Sequence, residues 1–166
     1  MTDLQAEPKN EVINCLRTRL TDYNATARVP ASSNWIYPDF PRLDFKKDSY
    51  PRISVTDVTE TAKIFDIGRN MEYKCVLQID VWVWDGIDGK DSMLLTITSV
   101  VHDGQKLLDL VSRDVISALD DNKADFDNDT NWLHDFELRA KVDMGPDKDR
   151  KQVIRKLIEV GFTYYR

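Results

Sequence analysis

The amino-acid sequence predicts an α+β fold: a single antiparallel-rich sheet of about four strands with two helices packed on one face, in the order α-β-β-α-β-β. Three observations lead there. Two segments place apolar residues at helical spacing, four runs follow the two-residue period of a strand, and polar or Gly-containing turns join the strands in pairs. The chain of 166 residues reads as one domain, 1–166, long enough to bury about two-thirds of the surface of its unfolded form.

Residues 1–9 read as a flexible N-terminus. The start "MTDLQAEPKNEV" has no basic stretch followed by an apolar one, so it is not a signal peptide. Asn10 is placed to cap a helix from about Glu11 to Asn24, whose Ile13, Leu16, Leu20 and Tyr23 share one face. From 25 to 50 the pattern dissolves, because Pro30, Pro38 and Pro41 forbid a long regular element. So long a loop is uncommon in a compact domain. Its Trp35, Tyr37, Phe40 and Phe45 argue that part of it is pinned against its own domain or a neighbour.

The first strand, Pro51 to Ile67, is β-branched throughout, but its apolar phase slips by one after Val55, which predicts a bulge or a bend near Asp57. "GRN" at 68–70 turns the chain into the second strand, "EYKCVLQIDVWVWDG". There Cys75, Leu77, Ile79, Val81 and Val83 form a core face, while Val76, Gln78, Asp80, Trp82 and Trp84 form a mixed one. "SMLLTITSVVH", 92–102, fits either a strand or a buried helix. From Asp103, Leu107, Leu108, Val111, Val115, Ala118 and Leu119 make the stripe of a second amphipathic helix. After a polar loop, Asp135 to Met144 alternates, with Phe136, Leu138, Ala140, Val142 and Met144 on one side. "GPDKD" turns into Lys151–Tyr165, with Ile154, Ile158, Val160, Phe162 and Tyr164 on one face.

Composition narrows the function classes. Asp and Glu number 29 against 23 Lys and Arg, for a net charge of −6, which disfavours general adhesion to nucleic acid. No apolar run approaches the ~18 residues of a membrane span. Cys15 and Cys75 have neither a CxxC motif nor a His at metal spacing and read as buried free thiols. The charged run "DKDRKQVIRK" reads as a solvated hairpin tip.

No catalytic, cofactor or metal site is expected. His102 and His134 have no nucleophile or ligand at a recognised spacing, and GxSxG, GxGxxG and P-loop motifs are missing. Asp125, Asp127 and Asp129 begin like a calcium loop, but Thr130 stands where its Gly belongs and Phe136 where its bidentate Glu belongs. At most a weak, irregular cation site is left there. "DGIDGKD", 85–91, is Gly-rich, but its acids would repel a phosphate.

What remains is the Trp82/Trp84 face. Two helices cover only one face of a small sheet, so the indoles meet either the 25–50 loop of their own chain or another subunit. The candidate interface set is Trp82, Trp84, Asp80 and Gln78, with Trp35 and Tyr37 from the loop and Arg52 at the start of the first strand.

The element order, with "YPRISV", "YKCVLQIDVWVWDG", "GQKLLDLVSRDVISALDD" and a final hairpin ending "IEVGFTYYR", resembles the tail terminator (tail completion, or neck) proteins of long-tailed viruses of bacteria and archaea. The resemblance implies a structural virion protein rather than an enzyme. It would form a homo-oligomeric, six-fold ring on the tail tube protein, stop tube polymerisation and present a surface to the head-tail connector protein. DNA would pass through the lumen without specific binding, which an acidic chain favours. The subunit would be made in the host cytoplasm and reside in the tail or neck. The alternative is another neck or baseplate component, or a soluble α+β adaptor that binds a protein partner without terminating a tube.

Overall fold

The computed structural model describes residues 7–28, 35–38, 46–64, 71–88, 90–126 and 133–165. The elements are α1 (Pro8–Arg19), β1 (Ile36–Tyr37), a 3-10 turn (Lys47–Ser49), β2 (Arg52–Ile64), β3 (Met71–Trp84), β4 (Leu95–Ile97), β5 (Val100–His102), α2 (Gly104–Asp121), α3 (Lys123–Phe126), β6 (His134–Pro146) and β7 (Val153–Tyr165). The main sheet has the order β1-β2-β3-β7-β6, and β4 and β5 form a separate hairpin. The architecture is α+β, but the sheet has five strands and is mixed rather than four-stranded and antiparallel, because β1 joins β2 in parallel at Ile53 and Ser54. A two-residue strand leaves no period in a sequence.

The N-terminal helix is displaced from the segment that Asn10 was expected to cap. It begins at Pro8, whose missing N–H is harmless in the first turn, with Glu7 at the cap. It ends when Leu20 turns extended. Beyond it a polar knot replaces helical bonding: the Arg28 guanidinium donates to both Asp22 carboxylate oxygens at 2.7 and 2.6 Å. Tyr23 is therefore off the helix, yet its hydroxyl donates to Asp114 of α2 at 2.7 Å.

Helix α2 follows expectation. Asp103 caps it by accepting from the Lys106 N–H at 3.1 Å, and Leu107, Leu108, Val111, Val115, Ala118 and Leu119 are all buried. Its start sits hard against the end of β3, since a Cβ at Gly104 would lie 2.1 Å from Asp85 Oδ1. That approach is closed by Ser92, whose hydroxyl donates to Asp85 at 3.2 Å and accepts from the Gly104 N–H at 2.9 Å. Segment 92–102 resolves as the β4–β5 hairpin, whose turn residues Thr98 and Ser99 both have positive φ, as a two-residue hairpin loop requires.

Strands β2 and β3 pair throughout, with the expected irregularity between Asp57 and Thr59. The core face of β3 meets Ile53 and Val55 of β2 and Ile154, Ile158, Val160 and Phe162 of β7, and α1 and α2 join the same cluster. Strand β6 departs from its clean alternation. Register shifts at His134/Glu137, Leu138/Ala140 and Asp143/Gly145 break the phase, so Leu138 pairs with Val160 on the helix-bearing face while Val142 pairs with Leu157 on the other. Among the described residues no helix is long and apolar enough to cross a membrane.

Candidate subunit interface

The register of β2, β3 and β7 arranges the mixed face in rows. Arg52, Trp82 and Arg155 lie side by side, followed by Ser54, Asp80 and Leu157, then Thr56, Gln78 and Glu159. Trp82 is only 3% exposed. Its indole N–H donates to Ser54 Oγ at 3.0 Å, and the Arg155 guanidinium carbon lies 5.0 Å from its ring centre, a cation–π contact.

Asp80 is wholly buried beside it. Its Oδ2 accepts from Gln78 Nε2 at 2.6 Å, and Oδ1 faces Arg155 Nη1 at 3.7 Å. Burial pushes its carboxyl above the ordinary range, and the Gln78 bond and Arg155 charge offset only part of this. Arg52 is also wholly buried, with the Tyr37 ring centre 4.7 Å from its guanidinium carbon. Burial, and secondarily the neighbouring Arg28 charge, bring Arg52 down to about 10, which leaves it cationic at neutral pH.

The sequence-predicted set therefore divides. Arg52, Asp80 and Trp82 are buried within the chain itself, so as the subunit stands they present no surface to a neighbour. Gln78, Trp84, Trp35 and Tyr37 stay half-buried. The Trp84 indole N–H donates to the Asp91 carbonyl at 3.1 Å, and its ring lies 6.0 Å from that of Tyr50. Trp35 accepts the Ile53 N–H at 2.7 Å through its carbonyl, with the Arg28 guanidinium carbon 5.6 Å from its ring centre. Described parts of the 25–50 segment thus touch the mixed face, Tyr37 at Arg52 and Tyr50 at Trp84. Phe40 and Phe45 lie outside the described residues.

Two features escaped the sequence reading. The first is Lys156, which belongs to the run expected to be solvated. The tip of that run is solvated, with Asp147 accepting the Asp149 and Arg150 N–H groups at 2.9 and 3.2 Å. Lys156 instead turns into the helix-bearing face, is buried, and donates to Asp109 of α2 and, at 3.1 Å, to Asp143 of β6. Burial alone would lower its pKa, but these two carboxylates outweigh that and hold it above the ordinary lysine value. The available signal was period: 154, 156 and 158 fall on one face.

The second is the distribution of exposed apolar side chains. Leu138, Val142 and Met144 on β6 are 43%, 45% and 44% exposed, and Val58 and Ile64 on β2 are 46% and 68% exposed. Ile87, Leu94, Val100 and Val101 are exposed in the β3–α2 connection. Edge positions and loop ends carry them.

For chemistry, the described residues contain no group of three or more His, Cys, Asp or Glu placed to hold a metal ion. Asp127 and Asp129 lie outside the described residues. His102 Nδ1 sits 3.1 Å from the Val100 carbonyl, and the His134 ring lies 5.7 Å from that of Tyr165. Both cysteines are free and buried, and burial pushes the Cys75 thiol up to about 11, far from a reactive thiolate. In comparison with known proteins, the chain matches no family model and no curated protein.

Proposed function

We propose that the chain is a structural virion subunit that assembles into a ring, caps a viral tail tube, stops its polymerisation and joins the tail to the head-side connector. One observation carries this reading. Among the described residues, apart from Tyr165, the large exposed apolar side chains lie on edge strand β6, on the part of β2 that β1 leaves uncovered, and on the connection at the end where β3 terminates. A ring subunit needs that arrangement: lateral contacts on two different edges, and an axial contact at one end. The element order of the resembling family supports the same reading. The net charge of −6 suits a lumen through which DNA passes without adhering.

The test mixes the purified chain with the tail-tube protein of the same virus and measures tube length by electron microscopy. Tubes of limited length with a ring at one end are expected. Tubes that grow without limit would overturn the reading in favour of an adaptor, for which the exposed Ile87/Leu94/Val100/Val101 end would supply the contact.

A further inference from the structure

The sheet ends on two long exposed strands. β6 is the edge beyond β7, while at the other side β1 covers only Ile53 and Ser54 and leaves Asp57–Ile64 exposed. Open edges of this length are templates for pairing with another chain, and their charges and bulges restrict which partner and register they accept. Because β2–β3, β3–β7 and β7–β6 are all antiparallel, β6 runs opposite to β2. A second copy placed beside β6 by the rotation of a ring presents its own β2 in the antiparallel sense.

The geometry points to that contact: residues 137–142 of β6 in one subunit pair with residues 56–61 of β2 in the next. This rests on the ring reading and names how the ring closes.

The register follows from the side chains. By their partners within the chain, Asp57, Glu60, Leu138 and Lys141 face the helix-bearing side, and Thr59, Thr61, Glu137 and Ala140 face the other. Between residues 56–61 of β2 and 137–142 of β6 each strand carries one phase slip, at Asp57/Thr59 and at Leu138/Ala140. With Asp57 opposite Lys141 the two slips face each other, and the faces agree on both sides of them. Moving the register two residues one way, with Thr59 opposite Lys141, puts the faces out of phase between the slips; moving it two the other way sets Asp57 opposite Arg139, whose side chain lies against Gly161 on the other face and leaves Asp57 without its charge partner.

Charge selects the same alignment. It sets Asp57 against Lys141, both on the helix-bearing side, and places no two like charges opposite each other. Asp57 already meets Lys9 at 2.9 Å, yet its side chain keeps 57% of its surface exposed. Val58 and Leu138 would lose exposed apolar surface in the contact.

The test is a cross-link on the full chain carrying Asp57→Cys and Lys141→Cys. Within one chain these positions are three strand spacings apart, at least about 14 Å, beyond the ~7 Å reach of a disulfide between Cα atoms. Any bridge is therefore between copies. With oxidised glutathione as oxidant, the double variant should give a ladder of covalent oligomers ending in a closed ring, both with and without the tube protein. Each single variant should stay monomeric on a non-reducing gel.

A double variant that is folded by circular dichroism but remains monomeric under both conditions overturns the contact. So do dimers from either single variant, which would show like edges pairing about a two-fold axis. Failure of the function reading looks different. A cross-linked ring that leaves tube length unlimited keeps the contact and removes the terminator, whereas limited tubes without a cross-link do the reverse.

Discussion

The two halves of β2 pair with β3 along one continuous ladder, yet Arg52–Val55 are all buried and Asp57–Ile64 are all exposed. Strand pairing and burial are separate matters. The first half lies between β1, α1 and the filled rows of both sheet faces, while the second passes the bulge and runs out beyond the core. β-branched residues are frequent in both halves, so composition does not distinguish them. Position relative to the helices does. The same strand therefore serves as core at one end and as an open edge at the other.

Substitutions in the two halves and their neighbours sharpen this contrast. Trp82→Ala, in the row of Arg52, should cost about 3–5 kcal/mol of stability in urea denaturation, because it removes a buried indole and strands Ser54 and Arg155. A loss below about 1 kcal/mol would show that the mixed face is not core. Lys156→Ala should cost less, about 1–2 kcal/mol, since Asp109 and Asp143 are more than half exposed and largely screened by water. Lys156→Met, which keeps the buried stem, should recover most of that loss. Tyr23→Phe should cost about 0.5–1.5 kcal/mol by deleting the bond to Asp114. At the bottom of the scale, Ile64→Ala should change stability by no more than about 0.5 kcal/mol; a larger effect would mean that the outer half of β2 is not free surface.

The titrating groups add a pH test. Tyr23 is pushed up to about 12, by burial first and then by Asp114, and Lys156 is raised by its two carboxylates. Both bind their protons more tightly in the folded chain. Their contribution is complete below the unfolded values near 10 and is lost as pH rises through the folded ones. Stability followed by thermal unfolding should therefore fall between about pH 10 and 12, and Tyr23→Phe should reduce that slope. Asp80 works at the acid end, where burial disfavours its charged form as it does that of Tyr23. Its raised pKa means that the folded chain favours the protonated carboxyl, so this group's contribution declines as pH rises through the acid range. Asp80→Asn should remove that slope and leave the chain at least as stable at neutral pH; a marked loss would show that the Arg155 contact outweighs the burial.

Much of the fold was legible where period and burial coincide. The stripe of α2, the core face of β3 and the slip near Asp57 all appear in the sequence because a single neighbour, the core, sets their pattern. β6 was misread for the converse reason: its alternation is real in sequence, but three register shifts turn alternate residues to different faces, and an edge strand leaves its apolar side chains exposed. The candidate site was half legible. Trp82, Asp80 and Arg52 do form one constellation, yet their burial depends on cross-strand rows that join residues about 30 and 70 positions apart along the chain.

By itself the sequence determined the α+β class, the two helices with their buried stripes, the strand pairs and the free, buried state of both cysteines, because each follows from local spacing and the solvation preference of single side chains. Only the tertiary structure decided that β1 adds a parallel edge, that Lys156 turns inward between Asp109 and Asp143, and which parts of β2 and β6 stay open. These depend on what lies across the sheet from a residue, and contacts between distant segments leave no period in either of them.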